Sequence, residues 1–167
     1  MSSQDFSTTI LVDQTPQQAF NAINNVRGWW SAAIEGSTDQ LNGEFTYHYE
    51  DIHTCRIKLT ELIPNKKIGW LVLDNYFKFT KDKKEWTGTK IIFDISPQAG
   101  KTAIRFTHLG LVPEYECFDI CVNAWTQYIR QSLFGLITTG KGQPNGPGNP
   151  VTADEKRLGS TVPNGNS

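Results

Sequence analysis

The chain has 167 residues, room for one domain, with 38% apolar and 11% aromatic residues and a net charge of −1. That balance excludes collagen-like, disulfide-framed and wholly disordered chains, and it gives no long-range field to attract nucleic acid or anionic membranes. No run approaches the roughly 18 uninterrupted apolar residues of a membrane span. Met1 to Thr9 is polar, without an export signal, and three cysteines (Cys55, Cys117, Cys121) are an odd count, so a cytoplasmic protein with free thiols is expected.

Phe6 to Val12 is rich in strand-favouring residues and predicts a first strand. Thr15, Pro16 and Gln18 form a helix start with a capping box, and Ala19, Phe20, Ile23 and Val26 follow at helical spacing. Gly28 interrupts, and Trp29-Trp30 opens a second short helix reaching Ile34. From Gly43 to Leu109 the period changes to two. Phe45, Tyr47 and Tyr49 alternate with polar residues, as do His53, Cys55, Ile57 and Leu59, then Ile91, Phe93 and Ile95, then Ile104, Phe106 and His108. Short breaks at Glu50-Asp51, Pro64 to Lys67, Lys81 to Lys84 and Pro97 to Gly100 read as hairpin turns. They imply an antiparallel meander, because a parallel crossover needs a dozen residues or more.

Residues 113–137 predict one long helix, with Pro113 in its first turn and a stripe of Phe118, Val122, Trp125, Ile129, Leu133 and Leu136. A helix with one broad apolar face laid against a one-faced sheet is an α+β design. The last 28 residues, from Gly140, hold six Gly, four Pro and no aromatic, and read as a disordered tail. The expected organisation is therefore one domain over 1–139 followed by a Gly/Pro/Asn-rich tail over 140–167.

The order of these pieces resembles the family of activator of heat-shock protein 90 ATPase homologues, within the SRPBCC, START and Bet v 1-like superfamily. The matching residues are Thr15-Pro16 ahead of Phe20, then Trp29-Trp30, Gly43-x-Phe45, and Glu61-x-x-Pro64 before Ile68-x-Trp70. Thr89-x-Ile91-x-Phe93 and Thr102-x-Ile104-x-Phe106-x-His108 resemble the last two strands, and Trp125-x-x-Tyr128-Ile129 with Leu133 the closing helix. The resemblance covers about residues 5–137. Ala124 departs from it where many relatives have Gly, and Asn42-Gly43 replaces a paired glycine. It implies the helix-grip fold: a curved antiparallel sheet of about six strands gripping the C-terminal helix, with two short helices after the first strand. It also implies an apolar small-molecule ligand in the grip, or a chaperone as partner.

Alternate strand residues line such a grip. Candidate lining residues are Phe45, Tyr47, Tyr49, Trp70, Phe93 and Phe106 on strands. Trp29 and Trp30 stand at one end, and Trp125 and Tyr128 lie on the helix. Their rings either surround a ligand or simply fill the core. His108 falls in phase with Ile104 and Phe106, so it is either a polar anchor or base, or a hydrogen-bonded core histidine. No carboxylate is in phase with it, and no catalytic residue is assigned. His53 with Cys55, and Cys117 with Cys121, lack paired zinc spacings, so no metal or cofactor is expected. No nucleophile elbow, phosphate loop or dinucleotide fingerprint occurs. Three functions follow, in order: a non-enzymatic binding domain for an apolar molecule, a chaperone-cofactor-like interaction domain, and a cyclase- or hydrolase-like enzyme using His108.

Overall fold

The period-two stretches become antiparallel strands in the computed structural model, which describes residues 5–50, 52–78, 80–81, 85–112 and 118–145. Among these residues the strands are β1 (Phe6–Val12), β2 (Glu35–Gly36), β3 (Glu44–Tyr49), β4 (His53–Ile63), β5 (Lys67–Phe77), β6 (Lys90–Gln98) and β7 (Lys101–Leu109). They form one sheet in the order β1-β7-β6-β5-β4-β3-β2. Every pairing is antiparallel, and β1 closes against β7 with Ile10 opposite Ile104. Register shifts between Arg56 and Ile57 and between Leu59 and Glu61 mark irregularities in β4, and such bulges bend a sheet. The β6–β7 hairpin turns on Ala99 and Gly100, both at positive φ, the geometry that matches strand twist in a two-residue loop.

Helix α1 (Pro16–Asn24) starts as its sequence prescribes. The Gln18 amide donates to Thr15 Oγ1 at 3.1 Å, and the Thr15 amide donates back to Gln18 Oε1 at 2.9 Å. The second short helix is displaced from its expected place. It is a single 3-10 turn over Val26–Gly28, ahead of the two tryptophans. The backbone after it cannot be helical, because the Trp30 carbonyl and the Ala32 amide are both bonded to Asn145 across an extended bridge.

Three further expectations are revised. The sheet has seven strands rather than about six, the added one being the two-residue β2. The break at Lys81 to Lys84 belongs to a connection of residues 78–89 rather than a tight hairpin, and Asp82 to Lys84 lie outside the described residues. The chain also stays on the domain beyond 139, as far as Asn145, which is fully buried. Residues 146–167 lie outside the described residues.

The closing helix is described from Phe118; its expected first turn at 113–117 lies outside. It runs as α2 (Phe118–Gln127), a π-helical segment (Tyr128–Leu133) and α3 (Phe134–Thr139). Gly140, at φ 85°, caps it and donates to the Leu136 carbonyl at 3.1 Å. The stripe residues Trp125, Ile129 and Leu133 are buried, and the π segment adds Tyr128 and Ser132 to the buried face. Two arginines reach the outer edges of the sheet. Arg130 Nη1 donates to the Thr9 carbonyl of β1 at 2.9 Å, while Arg27 donates to the carbonyls of Ile34 and Gly36, each at 2.8 Å.

Candidate functional site

The eleven candidate residues all point into one interior, and none is more than 2% exposed. Alternation does this on the strands: Phe45, Tyr47 and Tyr49 are buried on β3 while Glu44, Thr46 and His48 between them are not. Trp70 stands at the centre. It stacks on Trp29 and Trp30 with centroids 6.3 and 6.0 Å away, and meets Phe45 and Phe93 edge-on. Trp30 stacks on Tyr47 at 4.2 Å and leans on Trp125 at 5.0 Å, and Trp125 meets Phe106 at 4.7 Å. Tyr128 joins the group through Asn145, whose Nδ2 donates to both the Tyr128 and Tyr47 hydroxyls, at 2.7 and 2.9 Å.

His108 lies beneath this cluster and is fully paired. The Trp125 indole can only donate, so His108 Nδ1 accepts from it, at 3.1 Å. Nε2 therefore carries the ring proton and donates to Thr89 Oγ1 at 2.8 Å. The Thr89 hydroxyl passes its own proton to the Trp86 carbonyl at 2.6 Å. Burial, with the neighbouring His53 adding to it, lowers the His108 pKa to about 3. The ring is neutral, with one tautomer and no spare lone pair.

Sequence reasoning did not select Trp86, which turns inward from the 78–89 connection. Its ring stacks on Trp125 at 5.6 Å and stands edge-on to His53 and His108, at 4.7 and 4.8 Å. His53 Nε2 donates to Asn75 Oδ1 at 2.8 Å, and burial lowers its pKa to about 3 against that bond. Burial also pushes the Cys55 thiol up, which removes it as a thiolate ligand. Among the described residues, no three His, Cys, Asp or Glu side chains come together as a metal site. Cys117 lies outside them.

Two interior donors stand apart. Among the described residues, the buried indole N–H groups of Trp70 and Trp86 have no hydrogen-bond partner, whereas Trp29 donates to the Ile23 carbonyl and Trp125 to His108. Away from the aromatic cluster, a shallow groove of about 600 Å³ lies between the start of α1 and two sheet turns, lined by Pro16, Pro64, Lys66 and Pro97 among others. None of the candidate residues borders it.

Trp86 and Asn145 were the functional-looking residues the sequence concealed. A tryptophan among lysines is a weak sign of a buried turn, and nothing in a Gly/Pro/Asn tail distinguishes one asparagine from another.

This architecture is the helix-grip class: a bent antiparallel sheet holding a C-terminal helix across an aromatic interior. No family model matches the chain, and no curated protein matches it in sequence. Solved structures share its fold. The Aha1 dimer from Colwellia psychrerythraea matches with a TM-score of 0.67 at 23% identity, over 83% of this chain and 98% of that one. Protein MLL2253 from Mesorhizobium loti matches at 0.62 and 11% identity, over 79% and 96%. Protein CV1439 from Chromobacterium violaceum matches at 0.58 and 14%, over 80% and 96%. Likeness at these identities is a likeness of fold. No described helix is long and apolar enough to cross a membrane.

Proposed function

We propose that the protein is a non-enzymatic binding domain whose aromatic interior takes a small, mostly apolar molecule carrying one hydrogen-bond acceptor. The observation that supports this reading is the pair of unpartnered indole N–H groups, Trp70 and Trp86, in an interior that pairs Trp29, Trp125 and both buried histidines. A buried donor without a partner costs about 1–3 kcal/mol, and a ligand carbonyl or ether oxygen recovers that cost. Trp86 is the natural point of entry, because its ring hangs from a connection and can turn without breaking a strand ladder. The chain's slight negative charge suits an uncharged ligand better than nucleic acid.

An enzyme using His108 is disfavoured by geometry. A general base needs a free lone pair, and both ring nitrogens of His108 are committed. A chaperone-cofactor-like role is the second reading, favoured by the likeness to Aha1. Titration of the full chain into purified heat-shock protein 90, followed by calorimetry, tests it directly.

The small-molecule reading is tested with 2-acetonaphthone and 2-ethylnaphthalene, which differ by one carbonyl. The ketone is expected to raise Tm as RT ln(1 + [L]/Kd) requires, about 2.7 kcal/mol at a hundredfold excess over Kd. The hydrocarbon should bind about tenfold more weakly, a difference of about 1.4 kcal/mol. Trp86→Phe or Trp70→Phe should close that gap. No thermal shift with either compound up to its solubility limit would overturn the reading.

A further inference from the structure

Residues 140–145 are a strap that crosses the helix end of the interior, and the way it is held describes a binding site. Its backbone adds to the chain as a strand would. The Asn145 amide donates to the Trp30 carbonyl at 2.9 Å, and the Ala32 amide donates to the Asn145 carbonyl at 2.9 Å, a parallel bridge centred on Ser31. The Asn145 side chain places one nitrogen between two phenol oxygens, of Tyr47 and Tyr128. Among uncharged side chains only the carboxamides of Asn and Gln offer two N–H groups on one nitrogen, so the pair of tyrosines suits that group.

We infer that the slot bounded by Trp30, Ala32, Tyr47 and Tyr128 is a peptide site for an extended segment carrying a side-chain carboxamide, and that residues 140–145 occupy it as the chain's own exchangeable ligand. This goes beyond the small-molecule reading and does not rest on it. The strap, Gly-Lys-Gly-Gln-Pro-Asn, has no aromatic side chain, and of its residues only Asn145 is fully buried. Hydrogen bonds hold it, including the Gln143 amide to Ser132 Oγ at 2.6 Å. It follows the last described helix, no described strand comes after it, and the left-handed Gly140 marks the point where it can swing away. Gly142 lies so close to Gly28 that a Cβ there would collide with the Gly28 carbonyl. Segments held this way open as local units, below the free energy of global unfolding. A competing peptide must then exceed the strap's effective concentration, which for a short flexible tether is millimolar.

Two measurements on the full chain test this. In amide hydrogen exchange of the wild type, Ala32 and Asn145 should exchange at a common rate at least tenfold faster than the amides of β6. A fluorescein-labelled peptide of residues 140–147 should bind the Asn145→Ala chain at least tenfold more tightly than the wild type, whose own strap competes. The same peptide carrying Asn145→Ala should not bind. Should the Asn145→Ala chain fail to fold, Gln143→Pro serves in its place, because it removes the amide that donates to Ser132. The inference is overturned if Ala32 exchanges as slowly as β6, if neither variant chain binds the peptide, or if the two peptides bind alike.

Discussion

His108 shows how one polar residue is tolerated in a core made of rings. Its two nitrogens, the Trp125 indole and the Thr89 hydroxyl form a directed chain that ends on the Trp86 carbonyl, with no donor or acceptor of the histidine left over. Breaking the chain at Thr89 is the informative change. Thr89→Val keeps the shape and orphans the His108 N–H, while the Trp86 carbonyl keeps the Thr89 amide at 2.9 Å, and the loss should be about 1–3 kcal/mol in urea unfolding. Adding His108→Phe to that variant removes this orphan but takes the acceptor from the Trp125 indole N–H, so the double variant should lose less than the two single changes summed. Strict additivity would mean that the hydroxyl and the imidazole do not act as a pair. Trp86 owes its position to this same chain, which ties its backbone to β7 through two side chains.

At the scale of elements, the strap is the piece whose contribution can be isolated. A chain ending at 145 should be more stable than one ending at 139 by about 1–3 kcal/mol, because the shorter chain leaves the Tyr47 and Tyr128 hydroxyls and the Ala32 amide without Asn145. Calorimetry should show this as a difference of several degrees in Tm. Equal midpoints would mean that the strap adds nothing to the folded state. The strap also explains where sequence reading reached its limit. Strands declared themselves through alternation, α1 through its capping box and the closing helix through its stripe, because each buries a face whose period is written locally. Asn145 buries a single polar group by matching two tyrosines 98 and 17 positions away, and no local period encodes such a match. The second helix was misplaced for the same reason, since the partner that extends Trp30 to Ala32 is this distant asparagine. Of the interior, the sheet and helix residues were legible. Trp86, on an aperiodic connection, was not.

For the whole molecule, the two buried histidines make stability depend on pH. Each has a folded pKa of about 3, below the usual 6.5, so between those values the unfolded chain binds protons that the folded chain refuses. Stability is fully present above pH 6.5 and falls as the pH drops, by about 1.4 kcal/mol per pH unit for each histidine. From pH 7 to pH 5 the two together should cost about 4 kcal/mol. His53→Gln keeps a donor for Asn75 but cannot titrate, so it should halve the slope of stability against pH. An unchanged slope would locate the acid sensitivity elsewhere.

The two edge arginines, finally, bear on how this molecule behaves among its own copies. An open sheet ends in rungs of unmatched carbonyls and amides, on which a second chain can grow as another strand. Arg130 takes the Thr9 carbonyl on one margin, and Arg27 takes those of Ile34 and Gly36 on the other. A strand arriving at either margin must first displace a guanidinium from acceptors it already holds. The sheet thus carries a charge at each margin, and a crowded solution meets edges on which Thr9, Ile34 and Gly36 are already taken.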